Sequence, residues 1–239
     1  MSAALITGSA GAGKSAVAAV LARRGLACID DGEDPFLARF VDSSGAVVTE
    51  EPADPDLAWL ARHRWEWDPA RLDELIRAAA PATLYLCGGA DNELEPADRF
   101  TQVFVLEIDE PTMLARLDMR QGNEWGRAGD SREYIRRLLP GYQDRLRAFG
   151  AIPVDARQPI DQVVAAILST VASLSQARTD PALLRRTRSR DMNIKAAVTG
   201  HTAMRALAGM FTFADLAADS VRAPIIQNGI EERKRRQWT

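Results

Sequence analysis

A chain of 239 residues, 46% hydrophobic and 26% charged, is ordinary globular material. It is long enough for one α/β domain with additions, or for two small domains. A formal net charge of −3 gives the chain as a whole no electrostatic reason to bind nucleic acid. No run approaches the about 18 apolar residues of a membrane helix, so a role within a membrane is not expected.

The first predicted strand, residues 3–7, leads directly into Gly8-Ser9-Ala10-Gly11-Ala12-Gly13-Lys14-Ser15. This octapeptide fits G-x-x-x-x-G-K-[ST] in the strand-then-helix context that such a phosphate loop requires. Glycines let successive backbone N–H groups turn toward phosphate oxygens. Lys14 is placed to reach the β and γ phosphates, and the Ser15 hydroxyl to hold Mg²⁺. Ala16 opens the helix of about residues 14–23, whose N-terminal end attracts the anion. ATP and Mg²⁺ are therefore the expected cofactors.

A second strand is expected over 26–30. The stretch to residue 80 reads as helical pieces and loops, including 35–40, about 57–67, and 69–80 with an apolar stripe of Leu72, Leu75 and Ile76. Strands at 83–87 and 102–108 follow, then a helix opened by Pro111. Ser131 reads as the N-cap of the next helix, which Pro140 should kink or break. A fifth strand at 151–154 and an amphipathic helix over 159–174 close the pattern. Nearly continuous apolar strands separated by helices predict a three-layer, doubly wound, five-stranded parallel sheet over residues 1–174. Within it, about 32–80 forms an acceptor-binding insertion and about 116–137 a short lid region. Cys28 and Cys87 sit in strands and read as buried free thiols of a reducing compartment rather than as a disulfide. With no signal-like leader ahead of the phosphate loop, a cytoplasmic protein is expected.

Residues 175–239 differ in character, with 12 basic against 6 acidic residues. Arg185 to Arg190 reads as a basic linker and Arg233 to Arg236 as a basic end, with about 194–218 apolar enough for two short helices. This mostly helical or disordered extension leaves a nucleic-acid partner open, although an unfavoured one.

Arginines dominate the block after the fourth strand. Arg116 and Arg120 lie one helical turn apart, Arg127 follows in a Gly-rich segment, and Arg137 comes ten residues later. Phosphoryl transfer needs positive charge around the migrating group and exclusion of water, and a hinged arginine flap supplies both. In this order and spacing the chain resembles the nucleoside monophosphate kinase branch of the P-loop kinases, which includes adenylate kinase. The resemblance implies that Lys14, Arg116, Arg120, Arg127 and Arg137 stabilise the transferring phosphoryl group. It also implies that the loop carrying Ala156 and Arg157 wraps the adenine base, with Arg120 close to the nucleotide.

The match fails on the acceptor side. Adenylate kinases carry an Asp-Gly-x-Pro-Arg type segment after the third strand, whereas this chain has Cys87-Gly88-Gly89-Ala90-Asp91-Asn92, closer to shikimate-kinase-like relatives. Four acids fall within Asp30 to Asp34; Asp30, at the end of the second strand, and then Asp31 are the candidates to hold Mg²⁺ or receive an acceptor proton. Trp59, Trp65 and Trp67 among Arg62, His63 and Arg64 either stack a base or close a local core. The expected activity is phosphoryl transfer from ATP to a small acceptor, a nucleoside monophosphate or a nucleoside. A small-alcohol kinase, or a non-catalytic nucleotide switch with a macromolecular partner, is the alternative.

Overall fold

A computed structural model describes residues 2–52, 55–121 and 124–179. Five parallel strands form the main sheet: β1 (Ser2–Thr7), β2 (Cys28–Asp30), β5 (Thr83–Cys87), β6 (Gln102–Glu107) and β7 (Ile152–Asp155), in the order β2-β5-β1-β6-β7. Alternate residues of β1 enter opposite cores, Ala4 and Ile6 on one face, Ala3 and Leu5 on the other. A strand buried on both faces has no polar side to show, which is why it reads as one apolar run. Helices α1 (Lys14–Arg23), α4 (Glu110–Asp118) and α6 (Ile160–Thr179) bury Leu21, Met113 and Val164 against the first face. Helix α3 (Pro69–Ala79) buries Leu72 and Ile76 against the second. The three-layer α/β expectation holds.

The chain leaves β1 toward β2 on one side and later crosses to β6 on the other, so the order reverses at β1. Ligands in open α/β sheets bind outside the carboxyl ends of the strands at such a switch point. The phosphate loop leaves from that end.

Three local expectations need correction. The segments at 35–40 and 64–67 are not helical: β3 (Ala38–Val41) and β4 (Arg64–Trp67) form an antiparallel pair. Arg64-Trp65-Glu66-Trp67 alternates polar and aromatic residues, a period-2 signal. Trp67 is fully buried beside Leu37, Leu72 and Phe100. The inserted helix α2 is short, Leu57–Leu60. Ser131 is not a cap, because α5 (Gly129–Phe149) starts two residues earlier; its buried hydroxyl accepts from Gly126 N and donates to Ala128 O. Nor does Pro140 end α5. The helix forgoes one backbone bond there, while Tyr142 and Leu146 beyond it pack with Val105 of β6.

Asp68 caps α3, accepting from Ala70 N at 2.9 Å and Arg71 N at 3.1 Å, and it pairs with Arg39 at 2.7 Å. These partners hold its carboxyl below the usual range. A lowered carboxylate pKa adds stability above the ordinary Asp range, and that stability fades as pH falls through it. Asp68→Ala is expected to lower stability by about 0.5–2 kcal/mol at neutral pH, read by urea titration. The difference should shrink in acid.

Among the described residues, no helix is long and apolar enough to cross a membrane. The basic linker, the basic end and the helices expected at 194–218 lie outside the described residues.

Candidate nucleotide and acceptor site

The loop from Gly8 to Gly13 connects β1 to α1, and Gly13 occupies the N-cap with a left-handed φ of 99°. Only a residue without Cβ adopts this conformation freely. No side chain caps α1 and no acid stands in its first turn, so its leading N–H groups are not taken by a side-chain cap. Ser9 Oγ is buried and has no hydrogen-bond partner. An orphaned hydroxyl beside uncapped N–H groups fits a phosphate, which accepts hydrogen bonds from both.

Lys14 lies along this loop, its ammonium donating to Gly8 O at 2.7 Å and Ser9 O at 3.1 Å. Burial lowers its pKa, opposed by the carboxylates of Asp31, Glu93 and Asp30. Ser15 and Ala16 are exposed in the first turn of α1. Among the described residues, no three His, Cys, Asp or Glu side chains converge into a metal cage. Mg²⁺ needs no such cage, since it keeps several waters and binds mainly through phosphates and one or two protein oxygens. Ser15 and Asp30 offer the hard oxygen donors for it.

The acids after β2 divide by position. Asp30 ends the strand, and its Oδ1 accepts from Gly32 N at 3.2 Å. Its charge acts on both Lys14 and Arg120. Asp31 is buried, and its Oδ2 accepts from Trp67 Nε1 at 3.0 Å and Gly89 N at 2.9 Å. It ties β2, the Gly88-Gly89 turn and the hairpin together. Burial raises its carboxyl pKa, while Lys14 and these donors lower it.

The residues after the glycines include one that the sequence did not reveal. Glu93 is fully buried and accepts from Thr7 Oγ1 at 2.6 Å, Tyr142 OH at 3.1 Å and Arg145 at 3.1 Å. Burial raises its pKa, opposed first by Arg145. Thr7 is the last residue of β1, so this network anchors the root of the phosphate loop to α5. Asp91 receives Trp65 N at 2.9 Å, and burial pushes its carboxyl up to about 7. Asn92 exchanges two 2.9 Å bonds with the Trp67 backbone. The loop after β5 therefore holds the hairpin strand β4 in place. An acid four residues beyond a Gly-Gly turn was the available signal for Glu93.

The predicted arginines separate into two groups. Arg116 donates to Ala156 O at 2.6 Å and Ala12 O at 3.3 Å, bridging the phosphate loop and the loop after β7. Arg120 is half-buried, donates weakly to Trp125 O at 3.4 Å, and carries a charge felt by Lys14. Arg127 pairs with Glu124 at 2.6 Å, and Arg137 with Glu133 at 2.6 Å. Arg136 and Arg137 together hold Glu133 down to about 2. Arg116 is thus bound to the loop and Arg120 lies within its electrostatic reach, whereas Arg127 and Arg137 are engaged by acids of their own segment. Ala156 is buried, and its N–H donates to Glu107 O at 2.9 Å. Arg157 is exposed and bound to Asp155, whose carboxyl it lowers strongly.

Phe40 of β3 joins the insertion to the segment around Trp125. Its ring lies 4.9 Å from Trp59, 5.0 Å from Trp65 and 6.5 Å from Trp125. Trp59 stacks on His63 at 3.9 Å, so the tryptophans do close a local core. Leu57 N donates to Asp130 Oδ2 at 3.0 Å, adding a polar tie between the same two segments. Between them runs a groove of about 460 Å³, walled by Phe40, Trp59 and Trp125 and rimmed by Glu51, Glu124 and Arg127.

No protein-family model matches the chain, and no curated protein matches it. Solved structures do resemble it in chain path. A deoxyadenosine kinase from M. mycoides, with dCMP and dCDP bound, is 16% identical, with 72% of this chain and 99% of that one covered at a TM-score of 0.42. A gluconokinase from Sinorhizobium meliloti is 18% identical, covering 73% and 94% at 0.42. A shikimate kinase from Bacteroides thetaiotaomicron is 14% identical, covering 72% and 98% at 0.41. All three are distant likenesses, below the level at which a shared activity follows.

Proposed function

We propose that the chain is an ATP-dependent phosphotransferase whose acceptor presents a hydroxyl group, with a nucleoside as the best-fitting class. The observation that carries this is Asp30, standing at the end of β2 on the sheet's carboxyl edge and within the field of both Lys14 and Arg120. Bound ATP with Mg²⁺ would supply the transferable phosphoryl group and part of its charge neutralisation. The uncapped α1 terminus and Ser9 Oγ would hold phosphate oxygens, and Lys14, now on the Gly8 and Ser9 carbonyls, would pair with them. Ser15 would hold the metal, with Asp30 as a further oxygen donor to it. Arg120 adds positive charge from the lid side, and Arg116 keeps the base-side loop against the phosphate loop. Asp30 accepts the proton of the attacking hydroxyl.

Charge pairing supports a hydroxyl acceptor over a monophosphate. Within the insertion, Arg39, Arg64 and Arg71 are each bound to a carboxylate, at 2.7, 2.6 and 2.8 Å. Arg127 at the groove is paired likewise, and two glutamates share the rim. A dianion entering the groove meets Glu51 and Glu124 at its rim, and Arg127, the cation that lines it, is already paired with Glu124. A neutral planar ring meets aromatic walls instead. The test is transfer of labelled γ-phosphate from ATP by the full chain to nucleosides, nucleoside monophosphates, shikimate-like alcohols and sugars. Label on nucleosides and none on monophosphates is the expected result. Label on monophosphates would overturn the hydroxyl assignment, and ATP binding without transfer to any class would indicate a nucleotide switch.

A further inference from the structure

The chain has two cysteines, and the fold sets them side by side. Cys28 opens β2, Cys87 closes β5, and these strands are hydrogen-bonded neighbours. In the register, Cys28 faces Tyr85 and Asp30 faces Cys87. The two cysteines therefore lie diagonally on the same face of the sheet, with their Sγ atoms 3.9 Å apart. Both are free thiols, Cys28 half-buried and Cys87 fully buried. A disulfide needs the sulfurs at about 2.05 Å and the Cα atoms within about 7 Å, and a diagonal pair starts at about 7–8 Å, so closure takes side-chain rotation and an approach of Cys28 along β5. That approach is feasible because β2 is three residues long and lies at the sheet edge, paired on one side only.

We propose that Cys28 and Cys87 form a thiol-oxidation site that takes a hydroperoxide and closes to an intramolecular disulfide. Cys28 is the entry point, since it alone of the pair has solvent access. It packs with the cluster containing Val17 and Leu21 of α1, so a compact oxidant fits where a bulky peptide disulfide does not. Cys28 Sγ attacks the O–O bond, giving a sulfenic acid and the alcohol or water derived from the hydroperoxide. Cys87 Sγ then attacks Cys28 Sγ; the hydroxyl leaves and takes the Cys87 thiol proton as water. Two thiols and one hydroperoxide thus become one disulfide, one alcohol and one water, a two-electron oxidation. Cys87 O accepts from Asp31 N at 2.9 Å, and Cys87 directly precedes the turn that binds Asp31. The bond would therefore form within the sheet edge that carries Asp30 and Asp31.

The experiment treats the native full chain with about one equivalent of hydrogen peroxide and follows free thiol content, intact mass and reducing and non-reducing peptide maps. The expected result is a fall from two thiols to none, a loss of two hydrogens in a monomer, a Cys28–Cys87 linked peptide, and full reversal by dithiothreitol. Cys87→Ser should retain a sulfenic acid at Cys28, captured by dimedone, and the wild-type mass stands alone if that variant does not fold. Thiols that persist in the native chain and oxidise only in denaturant would overturn the proposal, as would a chain-to-chain disulfide. None of these readouts depends on kinase activity.

Discussion

Gly88→Ala is expected to be among the most damaging methyl additions in this protein. A Cβ at residue 88 would fall on the Asp31 carboxyl group and only 2.6 Å from Asp31 Cβ. Asp31 has no room to yield, because its side chain is short and its Oδ2 is held by Trp67 Nε1 and Gly89 N. Rotating it away strands the buried Trp67 Nε1 and the partly buried Gly89 N, at up to about 1–3 kcal/mol each. Keeping it in place forces the backbone apart, at a similar overpacking cost of about 1–3 kcal/mol. The cheaper of the two routes sets the cost, so the expectation is a loss of about 1–3 kcal/mol. At roughly 2–4 °C per kcal/mol for a chain of this size, the midpoint should fall by on the order of 2–12 °C. Gly89→Ala should be milder, since its nearest neighbour would be Thr7 Oγ1 at 3.1 Å. In an Asp31→Gly background the clash is gone, so Gly88→Ala should then add little; the two changes are strongly coupled. A Gly88→Ala melt within a degree of wild type would show that Asp31 is not the linchpin described.

What could be seen in the residues alone follows how local each cause is. Gly8 to Ser15 was legible because loop curvature, helix start and lysine placement all depend on neighbours within one turn. The strands at 83–87 and 102–107 were legible because burial on both faces leaves a continuous apolar run. The hairpin was not. Its strands have four residues each, they pair across a long insertion, and Asp91 and Asn92 fix β4 from beyond β5. Glu93 was equally hidden, since its partners Thr7, Tyr142 and Arg145 stand 86, 49 and 52 residues away. Helical spacing put Arg116 and Arg120 on one helix face, but α4 ends at Asp118 and Arg120 lies beyond it. The spacing also gave no sign that Arg116 would bind backbone carbonyls of two loops. Charge spacing likewise omitted the acids Glu124 and Glu133, which decide where Arg127 and Arg137 rest.

Asp30→Asn separates the chemical role of this edge from its structural one. The amide keeps the side-chain oxygen that accepts from Gly32 N, so the turn after β2 should persist and the melting temperature should change little. What is lost is one negative charge beside Lys14 and Arg120, together with the ability to take a proton. With a hydroxyl acceptor, the expected outcome is a fall in kcat of about 10²–10⁴-fold, the usual contribution of a positioned general base. ATP affinity should stay within a few-fold of wild type or tighten slightly, because the carboxylate repels the triphosphate as much as it steadies Lys14. A titration with Mg²⁺ distinguishes the two tasks given to Asp30. Recovery of the rate at high Mg²⁺ would assign it to the metal, whereas a depressed rate independent of Mg²⁺ would assign it to the acceptor proton. Lys14→Ala provides the contrast, since it removes the cation that moves onto the phosphates; nucleotide binding and transfer should both collapse. A kcat for Asp30→Asn equal to wild type would mean that the acceptor arrives already ionised, and the monophosphate class would return as the substrate.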